Sequence, residues 1–273
     1  MSSAILPITF LSDYGHEDDF VGVCHGVIQR IAPGAVVIDV AHALPPHDTL
    51  TAALVLRNTL PYMPKGVHLA IVDPGVGTER RAVALRSAEG HLFVGPDNGL
   101  LSLAFKQAGG VDAAVDLSES AYRLERVSAT FHGRDVFAPV AAQLAMGTAL
   151  DDVGAAFPPE ELTALELPEV QVSAGQVKTR SIYIDRFGNI QLNATAADMH
   201  EAGLDPGSNL RIEARGKPYE ASYARTFADA PKLALLVYVD SYEAIALAVN
   251  GGSAAAALSL SKGAPVTLRR MDG

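Results

Sequence analysis

Short apolar runs alternate with longer amphipathic stretches through the first part of the chain. Three runs have the length and β-branched content of buried strands: residues 5–11, 35–40 and 67–72. Apolar residues at helical spacing follow the first run: Phe20, Val23, Val27, Ile28 and Ile31. A second helix is predicted over residues 50–60, with Asp48 or Thr49 as its cap. The order β-α-β-α-β is typical of a parallel sheet with right-handed crossovers.

Beyond residue 80 the pattern predicts a hairpin and further helices. Residues 82–86 and 91–94 alternate around a Glu-Gly turn, which indicates two paired strands. The other predicted elements are a helix at 100–107, a strand at 111–116 and a strongly apolar helix at 136–146.

The pattern changes near residues 158–168, and strand-like segments dominate from there on. These segments are residues 172–185, 189–192, 210–214, 217–225, 233–239, 244–249 and 266–269. A short final helix is predicted at 254–257, between the last two strands. We expect an N-terminal α/β domain at 1–160, with a central mostly parallel sheet. A smaller, mostly antiparallel β-domain, a barrel or a sandwich, is expected at 168–273, after a linker within 155–170.

The stretch at residues 68–81 marks the end of the third predicted strand. Asp73 stands at the strand tip, where a proline and two glycines stop the extended run. Thr78, Arg80 and Arg81 follow within reach of that acid. Strand tips of open α/β sheets are where ligands bind, so this stretch indicates a site. An ordinary strand-to-loop turn with surface arginines fits it equally well.

Composition narrows the classes of function. The chain has 273 residues, of which 49% are hydrophobic and 19% charged, as in globular proteins. Its net charge of −10, with no run of Lys or Arg beyond pairs, argues against binding of nucleic acid. The one cysteine, Cys24, is expected in the core and fits a reducing cytoplasm. No apolar run approaches the length of a membrane span or a signal peptide, so neither is expected.

Four loops next to predicted strands or helices carry clusters of polar residues. They are residues 13–15, Asp73 with Arg80, residues 131–135 and residues 185–189. Taken singly, each cluster also has a structural explanation. Asp13 fits a helix cap, His132 fits a surface histidine, and Asp185 with Asn189 fits a hairpin turn.

Several well-known catalytic motifs are absent from the sequence. It contains no GxxxxGK[ST] phosphate loop, no GxGxxG after the first strand, no GxSxG elbow, and neither HExxH nor CxxC. His42, His47 and His68 match no local spacing of metal ligands, so no metal site is predicted.

Taken together, the loops form an ordered series of motifs: TFLSDYGHEDDFVG, VVIDVAHALPPHD, IVDPGVGTERR, VGPDNGLL, TFHGRD, IDRFGN and TFADA. The series resembles that of the S-adenosylmethionine hydroxide adenosyltransferases, the adenosine-forming S-adenosylmethionine hydrolases, which are similar to fluorinases and chlorinases. The resemblance implies an N-terminal α/β domain, a C-terminal β-barrel, and S-adenosylmethionine as substrate with no cofactor or metal. It also implies a homotrimer whose active sites lie between the N-terminal domain of one subunit and the C-terminal domain of the next.

For the reaction, the resemblance implies hydrolysis of S-adenosylmethionine to adenosine and methionine, with Asp73, Arg80 and His132 as the catalytic set. The sulfonium leaves as a neutral sulfur, so the protein must mainly hold water or hydroxide in line with the C5′–S bond. A carboxylate or an imidazole can take the proton, and a guanidinium can stabilise hydroxide character. Which of Asp73 and His132 takes the proton stays open.

For substrate binding, the resemblance implies seven further residues. Asp13 matches an acid that accepts both ribose hydroxyls, and His47 stands where the halogenases place an aromatic residue against the sugar. Asp185 matches an acid at the methionine ammonium, and Ser241 a hydroxyl at its carboxylate. The positions implied for adenine are Asn189, Phe227 and Gly251.

A halogenase is the first alternative function. In the halogenases an aromatic residue occupies the position of Asp73, and the histidine at position 132 is missing. The charge of Asp73 would repel a halide, so the sequence favours water. The fluorinase insertion after the central motif is also missing, and Tyr242 replaces a halogenase arginine.

Two further alternatives belong to other classes. A non-catalytic binding module for adenosine or S-adenosylmethionine would keep Asp13, Asn189 and Phe227 but would need no catalytic set. A nucleoside hydrolase would use an aspartate cluster around calcium, for which Asp18 and Asp19 are candidates beside Asp13. A helix start explains Asp18 and Asp19 more simply.

Overall fold

The computed structural model describes residues 4–271 of the chain. The chain divides into two compact units, Met1–Leu165 and Glu166–Gly273. The division falls inside the segment 155–170 in which the sequence places the linker. Each unit has a sheet and a core of its own.

The first unit is built on a seven-stranded mixed sheet. Its strands are β1 (Ile8–Ser12), β2 (Val37–Ala41), β3 (Val67–Ile71), β4 (Ala82–Ser87), β5 (Leu92–Pro96), β6 (Val111–Asp116) and β7 (Ala155–Phe157). Their spatial order is β2-β1-β3-β5-β4-β6-β7. The strands β2, β1 and β3 are parallel, as the β-α-β-α-β pattern predicts, and β5 continues this parallel part beside β3. The strands β4, β6 and β7 join through antiparallel pairs, of which β4 with β5 is the predicted hairpin. Because β2 and β3 flank β1 on opposite sides, the carboxyl ends of β1 and β3 border a crevice that suits a ligand.

Helices cover both faces of this sheet. They are α1 (Phe20–Ile31), α2 (Thr49–Thr59), α3 (Ser102–Gln107), α4 (Ala138–Ala145) and α5 (Leu150–Val153), with 3-10 turns at Leu60–Tyr62 and Pro159–Glu161. Side chains alternate along β1, so Phe10 packs in the layer of α1 and α4 while Leu11 packs in the layer of α2 and α3. Cys24 of α1 is fully buried, which confirms its expected place in the core.

The apolar helix predicted at 136–146 begins earlier than its pattern indicates. Gly133–Phe137 form a π-helical turn that leads directly into α4. The buried acid Asp135 lies within this turn and binds the preceding loop, which the apolar pattern does not reveal. A π-helical turn of this kind is often found at functional sites.

The second unit is a closed β-barrel, the form that the family resemblance implies. Its strands are β8 (Gln171–Ser173), β9 (Gln176–Ile184), β10 (Ile190–Thr195), β11 (Asn209–Ala214), β12 (Lys217–Tyr223), β13 (Leu235–Val239), β14 (Ala244–Val249) and β15 (Pro265–Arg270). Seven of them follow the order β10-β14-β13-β12-β11-β15-β9, and the pairing of β9 with β10 closes the ring. β8 adds to β9, and among the described strands of this sheet the pair of β12 with β13 is parallel.

Two short helices belong to the second unit, α6 (Ala196–Glu201) and α7 (Ala254–Leu258). The helix α7 confirms the predicted final helix, whereas α6 has no apolar signal and begins at a capping box between Thr195 and Asp198. The strand predicted at 172–185 is interrupted between β8 and β9 by Gly175, whose φ is 73°. Within residues 4–271, no helix is long and apolar enough to cross a membrane.

The cap of α2 provides a test of local stability. Asp48 accepts a hydrogen bond from the backbone N–H of Thr51 at 3.1 Å, as the sequence predicts for one of its two candidate caps. Asp48→Ala should lower the free energy of unfolding of the first unit by about 1 kcal/mol, because one N–H at the start of α2 loses its acceptor. The measurement is the thermal midpoint followed by circular dichroism.

Asp19 provides the matched control. It stands at the same position of α1 but, among the described residues, makes no side-chain cap hydrogen bond. Asp19→Ala should therefore change the midpoint much less than Asp48→Ala. Equal losses in the two variants would show that the cap hydrogen bond of Asp48 is not the stabilising contact.

Candidate active site

Two strand tips bring acids to one edge of the first sheet. β1 and β3 are adjacent and parallel, with Ser12 opposite Ile71, so the residues that follow them emerge side by side. Asp13 follows β1 directly, and Asp73 follows β3 after one more buried residue. Parallel pairing therefore brings together two predicted site residues that are far apart in sequence.

Asp73 and Arg80 form a buried ion pair. Nε of Arg80 donates to Oδ1 of Asp73 at 3.1 Å, and Nη2 donates a second hydrogen bond to Oδ2. The side chains of Asp73 and Arg80 are only 7% and 8% exposed. The loop between them is folded by the Thr78 hydroxyl, which donates to the carbonyl of Gly75 at 2.7 Å. This two-point contact fixes the orientation of the carboxylate, and each buried charge has its partner.

Arg81, which the sequence places within reach of Asp73, turns to other partners. Its Nε donates to Asp97 at 3.1 Å and its Nη1 to Glu161 at 2.9 Å. Asp97 follows β5 as Asp73 follows β3, so the two neighbouring arginines pair with acids from two different strands. Of the two arginines near Asp73 in sequence, Arg80 is therefore the one that joins the cluster.

His132 joins the cluster from the loop before the π-helical turn. Its Nδ1 lies 3.3 Å from Nη2 of Arg80. The loop is held by Asp135, which is 1% exposed and accepts a hydrogen bond from the backbone N–H of Ser128 at 2.8 Å. The side chain of Arg134 also donates to Asp135. Asp135 is thus the anchor of the segment that carries His132.

Burial and the arginine determine the charge states in this cluster. Desolvation raises the pKa of Asp73 above its usual value, and the charge of Arg80 opposes this rise. Desolvation lowers the pKa of His132, and Arg80 lowers it further while Asp73 opposes the change. Since free histidine has a pKa of about 6.5, His132 is neutral at pH 7 and able to accept a proton.

Two glycines allow the loops of this site to approach each other closely. A Cβ at Gly133 would lie 2.1 Å from the hydroxyl oxygen of Tyr14. A Cβ at Gly77, whose φ is 75°, would lie 2.3 Å from the carbonyl oxygen of Ala129. Any side chain at these positions would force the loops apart.

A cavity of about 230 Å³ lies beside the cluster. Four predicted site residues line it: Asp13, His47, Asp73 and His132. His47 is exposed and has a φ of 63°, and its backbone N–H donates to Oδ2 of Asp13 at 2.8 Å. The loop after β2 therefore holds the carboxylate of Asp13 in place.

An aromatic wall, which the sequence analysis did not assign to the site, borders this cavity. Tyr14 and Phe20 line it, and their rings lie 5.6 Å apart. Each packs edge-on against Phe131, at 5.7 and 5.1 Å. All three residues lie within motifs of the series, TFLSDYGHEDDFVG and TFHGRD, and this position in the motifs could have indicated their place at the site. Such a wall excludes water from one side of the cavity.

The second unit contains a larger cavity of about 730 Å³. All five residues predicted for this unit line it: Asp185, Asn189, Phe227, Ser241 and Gly251. Sequence reasoning missed further polar and aromatic lining residues: Tyr183, Gln191, Tyr238 and Asp240. Three of these, Tyr183, Gln191 and Tyr238, lie on barrel strands. Alternation along a strand does not distinguish a polar residue that faces a cavity from one that faces solvent, so the sequence pattern could not identify them.

Asp185 shapes the turn that connects β9 to β10. Its Oδ1 accepts the backbone N–H groups of Phe187 and Asn189 at 2.8 and 2.9 Å, and its Oδ2 accepts Nδ2 of Asn189 at 2.7 Å. The hairpin-turn interpretation of Asp185 and Asn189 is therefore correct as structure. It does not exclude a binding role, because Oδ2 of Asp185 accepts one hydrogen bond here and can accept a second.

A second acid in this cavity organises the neighbouring turn. Asp240 accepts the backbone N–H of Tyr242 at 2.8 Å and that of Ala244 at 3.0 Å through Oδ1. Its Oδ2 accepts Nε2 of Gln191 at 2.7 Å. This turn places Ser241 at the cavity. Oε1 of Gln191, which also lines the cavity, is buried and has no hydrogen-bond partner within residues 4–271.

Phe227 offers a flat apolar surface in the second cavity. It is 41% exposed, and its ring lies 5.1 Å from that of Tyr238. Burial, with a smaller effect of Asp240, raises the pKa of Tyr238 to about 12, so this ring keeps its proton at neutral pH. A half-exposed aromatic pair of this kind suits the stacking of a planar ligand ring.

Comparison with known families gives matches in both units. Residues 8–154 match the family model of the S-adenosylmethionine hydroxide adenosyltransferase N-terminal domain, and residues 180–267 match that of the C-terminal domain. The two matches together cover most of the chain, with one in each structural unit.

Individual relatives agree with these matches. The chain is 52% identical to an (R)-S-adenosyl-L-methionine hydrolase of Salinispora arenicola over 94% of this chain and 95% of the relative. It is 30% identical to a fluorinase of an Actinoplanes species over 96% of this chain and 97% of the relative. The crystal structure of an uncharacterized conserved protein from Thermotoga maritima has a TM-score of 0.90 at 34% identity, covering 96% of this chain and all of that one.

The contact between Gly133 and Tyr14 provides a test of the site's packing. Gly133→Ala should lower the free energy of unfolding by about 1–3 kcal/mol, because the new methyl group would overlap the tyrosine hydroxyl. The measurement is again the thermal midpoint of the purified variant.

Gly26→Ala serves as the control for this test. Gly26 lies in α1, and nothing stands within 4 Å of a Cβ built there. Alanine forms helices better than glycine, so this variant should be as stable as the wild type or more stable. If Gly133→Ala were equally well tolerated, the close approach to Tyr14 would not constrain the site.

Proposed function

The chain belongs to the S-adenosylmethionine hydroxide adenosyltransferase family, and we propose that it hydrolyses S-adenosyl-L-methionine to adenosine and L-methionine. The observation that carries the proposal is the buried Asp73–Arg80 pair with His132 beside it, next to a cavity that Asp13 also lines. The 52% identity to a hydrolase named for the R form of this substrate supports it, and we take that form as the substrate.

The proposed reaction exchanges one bond at the ribose C5′ carbon. Water oxygen supplies the electron pair of the new C5′–O bond, and the pair of the C5′–S bond leaves with sulfur. The sulfonium becomes the neutral thioether of methionine, and one proton is released. Because the leaving group needs no protonation, the main requirements are an oriented water molecule and a base.

The Asp73, Arg80 and His132 cluster meets both requirements. His132 is neutral, and Asp73 is an oriented carboxylate, so either group can take the proton. Arg80 supplies a fixed positive charge that favours hydroxide over water. Its Nη1 is buried and has no hydrogen-bond partner among the described residues, which leaves a donor for a further oxygen.

We assign the ribose to Asp13. Its carboxylate already accepts the backbone N–H of His47, and each carboxylate oxygen can accept a second hydrogen bond. A vicinal diol offers the two O–H donors that this arrangement can take. His47 stands beside the sugar position, in the place of the halogenase aromatic residue.

We assign the rest of the substrate to the second unit. Asp185 would meet the methionine ammonium and Ser241 its carboxylate. Asn189 would hydrogen-bond adenine, Phe227 would stack on it, and the backbone at Gly251 would meet its edge. The support is that all five residues line one cavity, in which an exposed aromatic surface and hydrogen-bonding groups occur together.

Water is favoured over halide as the nucleophile. Asp73 is buried at the first cavity, and a halide there would face a carboxylate instead of an apolar notch. The fluorinase relatives are also the more distant ones, at 30% identity against 52%. Halogenation therefore remains the outcome to be excluded by experiment.

We further propose that the protein is a cytoplasmic homotrimer that needs no cofactor or metal for this reaction. The family resemblance supports the trimer, in which the N-terminal domain of one subunit and the C-terminal domain of the next share a substrate. The single buried cysteine is compatible with a reducing compartment. Light scattering after size-exclusion chromatography measures the assembly directly.

The decisive experiment is a chromatographic assay of product formation from S-adenosylmethionine. The wild-type protein should form adenosine and methionine at the same rate with and without chloride, from the R epimer when the two epimers are supplied separately. Asp73→Asn should reduce kcat by about 100-fold or more, because it removes the charge that orients Arg80 and can accept the proton.

Asp97→Asn is the matched control for this assay. Asp97 also follows a strand of the first sheet and pairs with an arginine, but it belongs to the Arg81 pair and does not line the cavity. It should keep near wild-type turnover. A 5′-halo-adenosine product would make the protein a halogenase, and tight binding without any product would make it a binding module.

The charge of Arg80 should be visible in the titration of His132. Arg80 lowers the pKa of His132, so Arg80→Gln should move the midpoint of its imidazole NMR titration to higher pH. The loss of the ion pair also leaves the Asp73 carboxylate free to favour the imidazolium, which acts in the same direction. His200, in the second unit, provides an internal reference signal. A midpoint that stays constant or falls would contradict the contact between Arg80 and His132.

A further inference from the structure

We propose that His25, Asp39 and His42 form a binding site for Zn²⁺ in the first unit. The three residues come from α1, from β2 and from the loop after β2. None of them lines either of the two cavities described above. The site would be additional to the proposed hydrolase chemistry and does not depend on it.

The three side chains converge on one point. Oδ1 of Asp39 lies 2.8 Å from Nε2 of His25 and 2.9 Å from Nε2 of His42. All three potential ligand atoms lie within 4.8 Å of one another. In a tetrahedral zinc site with bonds of about 2.0–2.2 Å, ligand atoms stand about 3.3 Å apart. Shifts of a few tenths of an ångström would widen the two contacts of Asp39 enough to admit the ion.

The orientation of the His42 ring is fixed by contacts on the side away from Asp39. Its side chain is 1% exposed, and its Nδ1 lies 2.7 Å from the hydroxyl of Ser12. Zinc-bound histidines usually hydrogen-bond through their second nitrogen, which fixes the orientation of the ring. The Ser12 hydroxyl can accept the Nδ1–H of His42 while Nε2 faces the metal. The ring of Phe10 packs edge-on against His42 at 4.6 Å and tilted against His25 at 5.8 Å.

The ligand types select the ion. Two imidazoles and one carboxylate suit zinc and related transition metals, whereas calcium and magnesium prefer an all-oxygen set. Asp39 and His25 are 46% and 30% exposed, so an ion can enter from solvent. A fourth ligand can be water or His16, whose ring lies 5.5 Å from that of His42.

The fold explains why no sequence motif reveals this cluster. Asp39 and His42 are close in sequence, but His25 lies fourteen residues before Asp39, on a helix packed against the sheet. The pairing of β1 with β2 also shifts register after Phe10, which is opposite Asp39, whereas Leu11 is opposite Ala41. The cluster therefore depends on the helix position and on this irregularity of the strands.

Zn²⁺ binding to the full-length protein tests the proposal. The protein is first treated with a chelator, which is then removed, and ZnCl₂ is titrated by calorimetry. We expect one tight Zn²⁺ per chain. Co²⁺ should give the visible ligand-field spectrum of a low-coordinate nitrogen–oxygen site. Of the eight histidines in the chain, His25 and His42 should show the zinc-dependent ¹⁵N shifts of ligated imidazoles.

Substitutions locate the site. His25→Gln and Asp39→Asn remove ligands at partly exposed positions, so the fold should persist, and each should weaken Zn²⁺ binding by about tenfold or more. His200→Gln is the matched control, because His200 and Asp205 form another exposed pair, with 3.2 Å between Nδ1 and Oδ1. It should bind Zn²⁺ as the wild type does.

Three results would overturn the proposal. They are Zn²⁺ binding only at millimolar concentration, equal binding by wild type and the His25 and Asp39 variants, and loss of binding in His200→Gln alone. Because these measurements use no S-adenosylmethionine, their outcome is independent of the hydrolase proposal.

Discussion

The buried ion pair between Asp73 and Arg80 is the contact on which the first candidate site depends. Two charges with less than a tenth of their side-chain surface exposed persist only as partners, because either one alone would lack compensation for its lost hydration. The loop between them must therefore return the arginine to the strand tip. Its tight turns follow from that requirement, and so does the need for glycine where the loop meets Ala129. His132 then contacts an arginine that is already immobile.

The two units contain cavities of different size and lining. In the first, the strand tips present charged groups at a small cavity with an aromatic wall, which suits the control of one water molecule and a sugar. In the second, a barrel carries a wider cavity whose turns are folded around Asp185 and Asp240. Each of these acids accepts backbone N–H groups, so the turns keep their shape while the side chains between them remain available to a ligand.

Much of the fold could be predicted from the sequence, because periodicity reports burial directly. The strands β1 to β6, the helices α1 to α4 and most barrel strands follow their apolar patterns, whereas α5 and β7 were not predicted. The π-helical turn at Gly133–Phe137 and the helix α6 could not be predicted in this way, since they depend on Asp135 and on a capping box. The sequence motifs predicted residues that line the two cavities, such as Asp13 and His132 in the first and Asp185 in the second. They could not show that Arg81 pairs with Asp97, or that His25 meets Asp39, because these contacts arise from tertiary packing.

The order of strands in the barrel also has a consequence for how the protein is made. The sheet of the first unit is complete once β7 has been synthesised, so that unit can fold while the rest of the chain is still being translated. The barrel differs, because β15 fills the place between β11 and β9. Until β15 leaves the ribosome, β9 and β11 each present an unpaired edge to other nascent chains. The second unit is therefore the part of this protein whose sheet closes only at the end of synthesis.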